Sequence, residues 1–197
     1  MGKFTFIKRP FIWLGRFRHR CGYGVHSPSA FDFITGLIYE KLPYYAYGEI
    51  ESKHPSSTRN RRINRLLFRL TNRYQPVTVV DIGPRSTAEY YIRAAKKDIT
   101  YLTVSQYNDL SLSDDPDLLY IHDMETHLVE KCLEHSISFM KENSVMVIAG
   151  IKKNKSMKLL WEKITKDDRV SITFDLYDLG ILFFDHSKIK QNYIVNF

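Results

Sequence analysis

The stretch TVVDIGPRSTAEYYIRAA, Thr78 to Ala95, most narrowly limits what this chain can fold into. It opens with β-branched residues, delivers Asp81 and Gly83 at the end of that run, and passes directly into helical spacing. A second strand-like run, ITYLTV, follows, so the order is strand, helix, strand. A helical crossover returns the chain to the same end of the sheet, which makes the two strands parallel. DLLYIHD, THLVEKCLEHSISFMKE, SVMVIAGI and KSMKLLWEKITKD continue the alternation, and together they predict a parallel sheet covered by helices. The last thirty residues differ. VSITFDLYDLGILFFD and NYIVNF are β-branched and aromatic, with turns expected around Gly180 and Asn192, and they predict an antiparallel C-terminal hairpin at the sheet edge.

Upstream, SPSAFDFITGLIYEKL predicts a short helix capped by Ser27 or Ser29, with Pro28 in its first turn and Phe31, Ile34, Ile38 and Leu42 on one face. PYYAYGEI reads as a loop. SSTRNRRINRLLFRLTNRY predicts a second helix, capped by Ser57 or Thr58, with Ile63, Leu66, Leu67 and Leu70 as its core face. Arg62, Arg65, Arg69 and Arg73 run down a neighbouring side, either as a solvated flank or facing phosphates. The expected organisation is a basic aromatic arm and helical extension over residues 1–57, then an α/β domain over 58–197, the two forming one compact unit. A chain of 197 residues can bury a core without staples.

The net charge of +7 is concentrated at the start, where Lys3, Lys8, Arg9, Arg16, Arg18 and Arg20 precede the first acid, Asp32. Interleaved Phe4, Phe6, Phe11, Trp13 and Phe17 suit either packing on the domain or contact with RNA or an anionic membrane surface. Two cysteines, Cys21 and Cys132, without metal-ligand spacing, support neither structural zinc nor a disulfide framework and fit a reducing cytoplasm. No run approaches the roughly 20 apolar residues that a membrane-spanning helix needs.

In an open α/β sheet, ligands bind beyond the carboxyl ends of the strands. Those ends read Asp81-Ile82-Gly83, Ser105-Gln106, His122-Asp123 and Ala149-Gly150. With VVDIG, the parallel strands and the terminal hairpin, the chain resembles the class I S-adenosylmethionine-dependent methyltransferase family over about Val77 to Phe197. RCGYGVHSPSAFDFI and FDLYDLGILFF also resemble a bacterial branch of small O-methyltransferase-like proteins. The resemblance implies a Rossmann-like fold with S-adenosylmethionine as cofactor. It places Asp81, Gly83 and Ser86 at the methionine end, Ser105 and Gln106 at the ribose, and Asp123 with His122 toward the adenine or the acceptor. His122 and His26 are the candidate acid/base residues.

Four departures from the family pattern accompany this likeness. Thr87 stands where a second glycine is usual, and Pro84 removes an N–H donor. Ser105-Gln106 replaces the acid that holds the ribose, a weaker acceptor than a carboxylate. His122 precedes Asp123 where an acid directly follows the apolar pair, and Ala149-Gly150, followed by Lys152, Lys153 and Lys155, offers no oxygen ligands for a hard divalent cation. Ser86 and Glu89 also match a capping box, so the loop serves either folding or cofactor binding. Two functions follow: metal-independent methyl transfer with weak cofactor binding, or a non-catalytic protein of the same fold that binds an anionic partner.

Overall fold

The computed structural model describes residues 14–16, 22–105 and 115–197. Seven strands, β1 (Thr78–Ile82), β2 (Thr100–Val104), β3 (Leu118–Ile121), β4 (Val145–Ala149), β5 (Ile172–Asp175), β6 (Leu179–Phe183) and β7 (Gln191–Ile194), form one sheet in the order β2-β1-β3-β4-β6-β5-β7. Only β6 runs against its neighbours, pairing antiparallel with β4 and β5. The β5–β6 hairpin is therefore antiparallel as the sequence predicts, while β7 closes the edge parallel to β5. Neither expected turn residue lies in a turn. Gly180 sits inside β6, where an added Cβ would come 2.3 Å from the Trp161 ring, and Asn192 sits inside β7. The hairpin turns instead at Leu176–Asp178, with Tyr177 in the left-handed region.

Side chains alternate across the buried strands, as they must in a sheet covered on both faces. Val79, Leu118, Tyr120, Val145 and Val147 face one cluster, and Val80, Leu119, Ile121, Met146 and Ile148 face the other. The second layer is completed by α5 (Thr126–Ser136) and α6 (Lys155–Ile164). The first is completed by α1 (Pro28–Asp32), α3 (Thr58–Tyr74) and α4 (Ala88–Ala95). Among the described residues, no helix is long and apolar enough to cross a membrane.

Ser27 caps α1, and the chain then widens into a π-helical turn, Phe33–Ile38. The buried face is Ala30, Phe33, Ile34, Leu37 and Ile38, so of the expected face Ile34 and Ile38 are buried while Phe31 and Leu42, the latter beyond the helix end, are exposed. PYYAYGEI is not a loop: from its third residue onward it forms the start of α2 (Tyr45–Lys53), held by an aromatic cluster of Tyr44, Tyr47, Phe68 and Tyr91. The arginines of α3 make distinct contacts within the protein. Arg69 is buried and donates to Leu37 O at 2.7 Å and Ile38 O at 3.2 Å, supplying partners to carbonyls of the π turn. Arg65 forks onto Glu51, Arg73 reaches Asp32, and Arg62 stacks over Phe197.

Candidate functional site

Because β1, β3 and β4 are parallel, their carboxyl ends gather on one edge, and the start of α3 crosses in front of them. Between them lies a polar cleft of about 260 Å³. Ser56, Arg59, Asn60 and Asn64 line it from α3 and the residue before its cap, Arg85, Ser86 and Thr87 from the loop after β1, and Tyr120, His122, Asp123 and Ala149 from the other strand ends. A larger, more open groove of about 700 Å³ lies on the far side of Asp123, between the starts of α5 and α6. Asp123 is the only expected site residue it touches, so the smaller cleft, which gathers three strand ends, is the better site.

Alternation puts Asp81, Tyr120 and His122 on the same face as Val79. Asp81 is buried, and Tyr101 from β2 donates to its Oδ2 at 2.6 Å. His122 Nε2 lies 2.9 Å from Asp81 Oδ1, within ion-pair distance. On the ring's other side, Nδ1 is 3.4 Å from Asp123 Oδ2, and the imidazole stacks on Tyr120. Burial opposes protonation of His122, but the hydrogen-bonding and charge contributions of Asp81, aided by Asp123, outweigh it and raise the pKa above the usual histidine value. Burial, then Asp81, pushes the Tyr101 hydroxyl far up, so it remains a donor at physiological pH.

Gly83 is occupied by this arrangement. Its φ of 151° lies in a region that favours glycine, and a Cβ there would sit 2.4 Å from His122 O and 3.0 Å from the ring atoms Cε1 and Nε2. The glycine thus admits a neighbouring strand end and its imidazole. In this arrangement the methionine part of S-adenosylmethionine has no bare backbone to lie against at Gly83, and neither Asp81 oxygen is open to it.

Thr87, in the position of the missing glycine, accepts a hydrogen bond from Asn64 Nδ2 at 2.7 Å and ties α3 to α4. The expected capping box does not form, because Ser86 Oγ accepts from Ala88 N while Glu89 pairs with Arg93 one turn on. Ser105 follows β2 at the surface, and Gln106 lies outside the described residues. His26 is exposed and absent from the cleft lining. Ser29, three residues on, lies beside Tyr74, Ile172 and Phe183 at the opposite end of the sheet, so His26 is not brought to the strand ends. Beyond β4, Lys152 pairs with Asp175 and Lys153 donates to Met124 O. Among the described residues, no three His, Cys, Asp or Glu side chains are grouped to hold a metal.

Sequence reasoning missed Arg59, Asn64, Tyr101 and Tyr120. Tyr120 was accessible, since it precedes His122 by two on a strand. Tyr101 required the register of β2 on β1, which no local pattern specifies.

No protein-family model matches the chain, and no curated protein matches it in sequence. Solved structures do match. The O-methyltransferase TomG from Streptomyces achromogenes, in complex with S-adenosylmethionine, superposes with a TM-score of 0.51 at 11% identity, over 73% of this chain and 91% of that one. The MycE methyltransferase of the mycinamycin pathway, in complex with Mg and S-adenosylhomocysteine, gives 0.56 at 12% identity, over 76% of this chain and 57% of that one. Together with the strand order and the single reversed strand, these likenesses show that the chain has the Rossmann-like α/β fold of class I S-adenosylmethionine-dependent methyltransferases.

Proposed function

We propose that this chain is an S-adenosylmethionine-dependent methyltransferase-like protein that binds its cofactor weakly and uses no metal. The supporting observation is the cleft itself: a fold otherwise seen with this cofactor keeps an open polar site at the ends of β1, β3 and β4. Asp81, Gly83 and Ser86 would hold the methionine end, Ser105 and Gln106 the ribose, and Asp123 the adenine side. Both the His122 carbonyl and its ring, which lie against Gly83, would first have to shift. Bound cofactor would supply an electrophilic methyl group, and this chain would contribute mainly orientation. Calorimetry with S-adenosylmethionine and S-adenosylhomocysteine tests the reading. The expected dissociation constant is about millimolar, and low-micromolar binding by the unaltered protein would contradict the weak hold. Any methyl transfer detected should survive a chelator; loss with chelator and return with magnesium would overturn metal independence.

The occupied Gly83 also favours a second reading, a non-catalytic protein of this fold acting on an anionic partner such as RNA or a membrane surface through residues 1–20. Most of that arm lies outside the described residues. Arg16 does not: it donates to Asp175 Oδ1 at 2.8 Å and to the Asp175 carbonyl, so it serves packing rather than a polyanion. A chain lacking residues 1–20 that bound RNA and anionic vesicles as well as the full chain would remove the arm from this reading.

A further inference from the structure

We propose that the cleft at the strand ends binds a phosphate monoester. Donors surround it from three separate elements: Ser56 and Arg59 at the start of α3, Arg85 and Ser86 in the loop before α4, and Tyr120 on β3. Ser56 Oγ, on this lining, is a buried side-chain atom without a hydrogen-bond partner among the described residues. Tyr120 is the sharper sign. It is only 5% exposed, its ring stacks on His122, and its hydroxyl makes no hydrogen bond among the described residues. Its hydroxyl opens onto the cleft, which is the space from which a partner can come.

The charge on the lining fits an anion on the arginine side. Arg85 is exposed on the cleft and forms no ion pair among the described residues. Asp178 approaches Arg59 Nε at 3.2 Å, off the N–H axis. Of the other acids, Asp123 also lines the cleft, 3.4 Å from His122 Nδ1, and Asp81 lies against His122, engaged by it and by Tyr101. Guanidinium groups bind phosphate oxygens in pairs, and α3 and α4 both begin here, adding their N-terminal partial charge. Donors arriving from three elements suit a tetrahedral group with three free oxygens better than a planar carboxylate. The volume suits a phosphate on a short organic body.

This inference stands apart from methyl transfer and is tested without cofactor. The full chain is titrated at low salt with phenyl phosphate, inorganic phosphate and benzoate, following the backbone amides of residues 56–60 and 85–88 by NMR. Phenyl phosphate should shift those amides and bind more tightly than benzoate. Arg85→Ala, at an exposed position, and Tyr120→Phe, which keeps the ring on His122, should each weaken it by about tenfold or more, as the loss of a hydrogen bond to a charged group implies. Absence of shifts at millimolar phenyl phosphate overturns the proposal. So does equal binding of benzoate, or unchanged binding by both variants. Phenyl phosphate binding beside a blank S-adenosylmethionine titration would count against the methyltransferase reading and leave this site standing.

Discussion

At Gly83 and His122, two residues suggested by sequence as separate site members are a single packing unit. Gly83→Ala would drive a Cβ into a backbone carbonyl and hold a strained φ, so destabilisation of about 3 kcal/mol or more is expected in urea unfolding. His122 should also make stability depend on pH. Its folded pKa is raised above the unfolded value of about 6.5, so its contribution is complete below pH 6.5 and is lost as pH rises through the folded value. Asp81, Asp123 and the Tyr120 ring face the imidazole. Urea midpoints should therefore fall over this interval in the unaltered protein, and His122→Gln should remove that part of the slope. A slope that persisted unchanged in the variant would place its origin elsewhere. The acid and the glycine were legible in VVDIG; that an imidazole from two strands' distance in sequence would fill the space over the glycine was not, because only the pairing of β1 with β3 brings them together.

At the scale of elements, the central alternation was readable because each buried strand is a short apolar run and each helix carries one apolar face. Elements stabilised by distant partners were not. The π turn depends on Arg69, thirty-two positions from Leu37 in sequence, and α2 depends on tyrosines packed against Phe68 and Tyr91. The four arginines of α3 looked alike in sequence yet differ physically, which their substitution should expose. Arg69→Ala strands two inward-facing carbonyls and should cost about 2–4 kcal/mol by urea denaturation. Arg73→Ala breaks a pair whose side chains are 47% and 56% exposed, and should cost under about 1 kcal/mol. Equal losses in the two variants would show that the row acts as a uniform charged flank after all.

For the whole molecule, the sequence divides the chain near residue 57 within one compact unit, and the packing across that division says what a shortened chain should do. Phe33, Ile34, Leu37 and Ile38 are each at most 4% exposed and lie in the same cluster as Val79, Leu118, Val147 and Ile181 of the sheet. Burying four such side chains contributes on the order of 6–12 kcal/mol, comparable to the roughly 5–15 kcal/mol that holds a typical domain together. Removing residues 1–57 would also leave Arg69 buried against nothing and deprive Arg65 and Arg73 of Glu51 and Asp32. We therefore expect residues 58–197 alone to lose near-ultraviolet circular dichroism and to show no cooperative urea transition, while a chain beginning at Gly22 keeps both. A cooperative transition in the shorter chain would establish the α/β part as an independent domain with the helices as an accessory, and the Arg69 effect should then be small.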